Sequence, residues 1–153
     1  MRMNPVDAIR DAFQGVADEL HAQFHRGPGC YVDIPGQGVV VRVRWAVERI
    51  QGVFVTLFRG HAGEETPVRE YGLAYLVEFK NRFAPSSDDV ECAKGDDPVA
   101  LAELTRKYAL DYLMGKPLDF SEFEEYAARR IAENAPATPT IRGTKFVRPE
   151  WTS

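Results

Sequence analysis

The chain has 153 residues, 44% of them hydrophobic and 27% charged, a balance that suits a single domain with one core and excludes a disordered or fibrous chain. Its formal net charge of −4 and pI near 5.4 argue against non-specific nucleic-acid binding and for a basic or neutral protein partner. The longest apolar runs, such as Val39-Val40-Val41 and Val53-Phe54-Val55, are strand-sized and far below the ~20 residues of a membrane span.

The first helix follows from Asn4 as cap, Pro5 at the first helical position and Asp7 in the first turn. Val6, Ile9, Phe13, Val16, Ala17, Leu20 and Phe24 keep the 3-4 spacing of one buried face. Gly27-Pro28-Gly29 is expected to end it. Asp7, Arg10 and Asp11 interrupt any apolar stretch that could serve as a signal peptide, so residence in the cytoplasm is expected. Cys30 and Cys92 are too few for a disulfide framework and are read as reduced thiols.

Strands are expected from Cys30 to Ile34 and, after the turn Pro35-Gly36-Gln37-Gly38, from Val39 to about Val47. In the second of these Val39, Val41, Val43, Trp45 and Val47 alternate with Val40, Arg42, Arg44, Ala46 and Glu48, which predicts one buried and one wet face. A turn at Gln51-Gly52 leads to a strand over Val53–Phe58, and a polar loop over His61–Pro67 leads to a strand over Tyr71–Lys80. Residues 84–97 read as an acidic, solvated, mobile loop.

Asp97 and Pro98 start a second helix that runs to Gly115-Lys116-Pro117, and Ser121 with Glu124 predicts a capping box for a third. Phe123, Tyr126, Ala127 and Ile131 of the third helix are expected to pack inward, and Asn134 to Pro136 to close it. Residues 136–153, with Pro136, Pro139 and Pro149, are expected to wrap the domain or add an edge strand. The order predicts one α+β domain over 1–153, of two layers, with a mostly antiparallel sheet of about four to five strands, an N-terminal helix and two C-terminal helices.

Among groups that could carry chemistry, Glu78-Phe79-Lys80 on a strand would place a carboxylate and an ammonium on one face. This E-x-K resembles the PD-(D/E)xK metal-dependent nucleases, and the resemblance implies a metal ligand at Glu78 and a catalytic Lys80. That family also needs an acid on the preceding core strand; Val53–Phe58 contains none, so Glu70 or Asp33 would have to serve. Read as structure, Glu78 and Lys80 are a charge pair on the wet face of an amphipathic strand. Asp18, His21 and His25 lie three and four apart, a spacing that could hold a metal on one helix side, but the more economical reading is a solvated helix end. Gly36-Gln37-Gly38 opens a strand instead of a helix and is a hairpin turn, and no phosphate-loop motif occurs. No cofactor and no metal are expected.

The acids Asp88, Asp89, Glu91, Asp96 and Asp97, with Glu122, Glu124 and Glu125 at the start of the third helix, form the one charged surface that stands out. Beside exposed aromatics drawn from Tyr108, Tyr112, Phe120 and Tyr126 they would make a docking surface for a basic partner. The expected partner-binding set is Asp88, Asp89, Glu91, Asp96, Tyr108, Tyr112, Glu122 and Glu125.

The amphipathic N-terminal helix, the strand meander through Tyr71–Lys80 and the Gly115-Lys-Pro-Leu-Asp-Phe120 junction together resemble the immunity proteins of bacterial polymorphic and contact-dependent toxin systems. The resemblance implies a small acidic α+β protein that inhibits a basic toxin domain by covering its active site. A secretion-type chaperone is a neighbouring reading, the E-x-K nuclease is the rival from a different class, and a homodimer is an open alternative.

Overall fold

The computed structural model describes residues 5–45, 52–83, 88–116 and 119–134. Asn4, the Gln51 turn, residues 84–87, Pro117 and the 136–153 tail lie outside them. The elements are α1 (Pro5–Leu20), β1 (His25–Arg26), β2 (Tyr31–Pro35), β3 (Val39–Trp45), β4 (Val53–Arg59), β5 (Glu70–Gly72), α2 (Leu73–Lys80), α3 (Asp88–Ala93), α4 (Pro98–Tyr108), α5 (Leu110–Leu113) and α6 (Phe120–Asn134). The fold is α+β. The five strands are antiparallel and lie in the sheet in chain order, β1-β2-β3-β4-β5. Among the described residues no helix is long and apolar enough to cross a membrane.

The register separates the strand residues onto two faces. Val32, Val43 and Val55 stand in one row, and Ile34, Val41, Leu57 and Tyr71 in the next. These residues join Ile9, Phe13, Leu73, Leu76, Leu101, Tyr112, Phe120 and Phe123 from the helices in one core. The opposite rows hold Asp33, Arg42 and Thr56, and Tyr31, Arg44 and Phe54.

The expected first helix is present but ends at Leu20, four residues before its last expected apolar member, Phe24. His21 takes a left-handed conformation, φ 52°, donating its N–H to the Asp18 carbonyl at 3.1 Å while the Ala22 N–H reaches the Ala17 carbonyl at 2.9 Å. This pair of bonds is a Schellman termination with histidine where glycine is usual. The chain then turns into β1, so Gly27-Pro28-Gly29 ends nothing helical.

The expected strand over Tyr71–Lys80 is corrected: pairing with β4 ends at Gly72, and Leu73–Lys80 is helix α2. Its buried residues Leu73, Leu76 and Val77 are spaced 3 and 4 apart, and α2 lies against α6. The run is apolar at odd and even positions alike, so a period of two fitted it as well as a period of 3.6. The expected loop over 84–97 is corrected too: its described part contains α3, whose Asp88, Asp89 and Glu91 occupy the first turn, where negative charge favours the helix. Val90 and Ala93, three apart, attach it to the core.

The second expected helix divides into α4 and α5 at Ala109. The capping box does not form. Asp119 precedes α6, its carbonyl accepting the Phe123 N–H at 2.9 Å. Ser121 and Glu124 instead hold Arg59 of β4, whose Nε reaches Glu124 Oε1 at 3.0 Å and whose Nη2 reaches Ser121 Oγ at 3.1 Å. Ile131 is 42% exposed and does not pack inward.

Candidate functional site

Three of the acids set apart by the sequence, Asp89, Glu122 and Glu125, lie around the C-terminal end of α2. On one side, Asn81 donates from Nδ2 to the Tyr108 hydroxyl at 3.1 Å, and that hydroxyl donates to Asp89 Oδ2. On the other, Arg82 shares a recess of about 240 Å³ with Glu122, Glu125, Arg129, Phe79 and Tyr126. Two consecutive residues, Asn81 and Arg82, therefore join acids that lie more than 30 positions apart. Phe83 follows with its ring 87% exposed and the Arg82 guanidinium 4.7 Å from its centroid.

The acids differ in how much charge they offer. Asp89 is held below its ordinary value by hydrogen bonds from Lys107 and Tyr108, with the Lys107 ammonium at 2.7 Å. Glu91 faces Lys94 at 3.1 Å. Glu78 is lowered first by its hydrogen bond from Arg130, and then by one from Tyr126. Asp88, Asp96, Glu122 and Glu125 are exposed and make no ion pair among the described residues. Such charges remain available to a partner, whereas neutralised ones add little long-range field.

Two of the expected exposed aromatics are corrected. Tyr112 is 1% exposed and Phe120 is fully buried; their rings meet edge to face at 4.9 Å. The Tyr112 hydroxyl donates to Asp119, and burial followed by that acidic neighbour pushes its pKa well up. Tyr112 is thus a core residue that stacks beneath Lys80, 4.6 Å from the ring centroid. Tyr108 and Tyr126 are half-buried at the margin. Residues 81–83 were not assigned by sequence reasoning, although an arginine beside a phenylalanine in a polar stretch is a pattern typical of binding surfaces.

The groups considered for metal chemistry are dispersed. Glu78 and Lys80 sit on a helix, where residues two apart do not share a face. Glu78 is paired bidentately with Arg130 at 2.8 and 3.2 Å, and Lys80 is 3.9 Å from Asp119. The strand geometry required by the nuclease resemblance is therefore not present. Asp18 is in α1, His21 caps it, and His25 is in β1, so they do not line one helix side. Among the described residues, no three His, Cys, Asp or Glu side chains are placed to hold a metal ion. Cys30 and Cys92 are free. No family of known proteins, no curated protein and no solved structure matches the chain.

Proposed function

We propose that this chain is a protein-binding domain of the cytoplasm that docks a basic partner over the α2 C-terminal end, in the manner of an immunity protein covering a toxin's active site. The observation that carries the reading is Phe83, 87% exposed and in contact with Arg82, which itself shares a recess with Glu122 and Glu125. An exposed aromatic anchor within a rim of unneutralised charge is the composition of an interface hot spot, the ring supplying buried area and the acids steering encounter. Asp88 and Asp96 extend the same charge along α3 and toward α4. Basic side chains of a toxin domain, normally facing nucleic-acid phosphates, would meet these carboxylates instead.

The test compares wild type, Phe83→Ala and Glu122→Lys/Glu125→Lys as bait for basic proteins of the native host, followed by titration of the captured partner. The expected result is a one-to-one partner whose affinity falls tenfold or more in each variant and weakens steeply with salt. A partner held equally by all three proteins places the interface elsewhere and overturns the reading.

A further inference from the structure

The sheet face away from the helices is covered in part by a segment of the chain that contributes no residue to the core. Residues 60–69 connect β4 to β5, and none of them is buried; Val68 is 93% exposed. The segment crosses the row formed by Asp33 and Arg42, both fully buried. Their ion pair is bidentate, Arg42 Nε to Asp33 Oδ1 at 2.7 Å and Nη2 to Oδ2 at 2.9 Å. The segment is attached to this pair through its backbone alone: the Gly63 N–H donates to Asp33 Oδ2 at 2.7 Å, and the Glu64 carbonyl accepts from Arg42 Nη2. Beyond it, Glu65 and Thr66 roof a cavity of about 390 Å³ that also contacts Cys30, Tyr31 and Arg44.

Beneath the segment the Arg42 guanidinium lies 3.7 Å from the Tyr31 ring centroid and 4.7 Å from that of Phe58. Its Nη1 and the Tyr31 hydroxyl are buried without a hydrogen-bond partner among the described residues. Burial works against the Arg42 charge, but the hydrogen bond and the charge of Asp33 outweigh it and raise its pKa. A third backbone hydrogen bond of the segment runs from the Gly60 N–H to the Gly38 carbonyl at 3.1 Å. Buried polar groups such as the Asp33–Arg42 pair regain hydration when uncovered, which offsets much of what these bonds contribute. Segments with few buried apolar contacts open at free energies well below global unfolding.

We infer that residues 60–69 form a strap latched to the Asp33–Arg42 pair, which opens as a unit while the sheet and helices stay folded, uncovering Arg42 and Phe58. Gly63 is the hinge of the latch. Its φ is +88°, and a Cβ there would stand 2.9 Å from the His25 ring; only glycine reaches the carboxylate from this position without strain.

Hydrogen exchange followed by NMR tests the inference, because the Gly63 amide is protected by Asp33 and by no strand partner. The expected result is exchange of Gly63 at least ~100-fold faster than the slowest amides of β3, with a rate insensitive to low denaturant. Equal protection and equal denaturant dependence would mean that the strap opens only with global unfolding, which overturns it. Gly63→Ala is expected to speed exchange of the amides at 60 and 63, the ones bonded to Gly38 and Asp33, by about tenfold or more with β3 and β4 unchanged. Gly15→Ala, in open space on α1, is the control and leaves the strap's exchange as in wild type. Protection lost equally from strap and sheet in Gly63→Ala would show one cooperative unit and also overturn the inference.

Discussion

The two faces of the same strands are closed by different physics. Toward the helices, Val32, Ile34, Val41, Val43, Val55 and Leu57 meet Phe13, Leu76, Leu101 and Phe123 through apolar contact alone. On the other face, one residue along each strand, Asp33, Arg42, Arg44, Thr56 and Glu70 are joined by charge-assisted hydrogen bonds. The first face is strong because burial is non-directional and accumulates with area. The second is specific and fragile, because each buried charge depends on a partner with correct geometry.

The largest expected effect is on the helical face. Phe123, fully buried, touches the rings of Tyr71, Phe79, Tyr112 and Phe120, so Phe123→Ala should cost about 3–5 kcal/mol in urea unfolding. A loss near that of an ordinary surface substitution would erase the contrast between the faces.

On the polar face, Asp33→Ala should cost about 3 kcal/mol, because it leaves the Arg42 guanidinium buried and unpaired. Replacing both by apolar residues, Asp33→Leu with Arg42→Met, should recover a large part of that loss in a double-mutant cycle. If the double replacement costs the sum of the two singles, the pair contributes more than mutual compensation.

A smaller effect should depend on pH. Burial raises the Glu70 pKa, but hydrogen bonds from Arg44 and Thr56 and the charges of Arg44 and Arg42 outweigh it, so the folded value lies below the ordinary 4.5. The folded state therefore binds the proton less readily than the unfolded chain. The stabilisation is fully present above the unfolded value and is lost as pH falls through the lower folded one. Glu70→Gln should be less stable than wild type by about 1–2 kcal/mol at pH 7, with the gap closing as the pH falls below the ordinary glutamate range. A gap that persists to the lowest pH at which the fold survives would assign it to packing.

The smallest effect concerns the polar clasp on the helical side. Arg59, 49% exposed at its side chain, ties the end of β4 to Ser121 and Glu124 of α6. Arg59→Ala should cost only about 0.5–1 kcal/mol in urea unfolding, as an exposed arginine is largely hydrated in either state.

Where local pattern and one buried face coincide, the amino-acid order by itself determined the structure. The 3-4 spacing from Val6 to Leu20 is α1, the Pro35–Gly38 turn joins β2 to β3, and Asp97-Pro98 starts α4. The acids of the candidate surface were legible as a composition, and their exposure at Asp88, Asp96, Glu122 and Glu125 follows from it. Tertiary structure decided what periodicity leaves degenerate. Leu73–Lys80 is apolar at both parities, and it became helix because Leu73, Leu76 and Val77 could meet the core together. Arg42 stands at a position that alternation assigns to water, and it is buried because the strap closes over it and Asp33 lies opposite across the β2–β3 register. Tyr112, expected at the surface, is buried for the same reason. Exposure is a property of which elements pack on a residue, and those neighbours are supplied by distant parts of the chain.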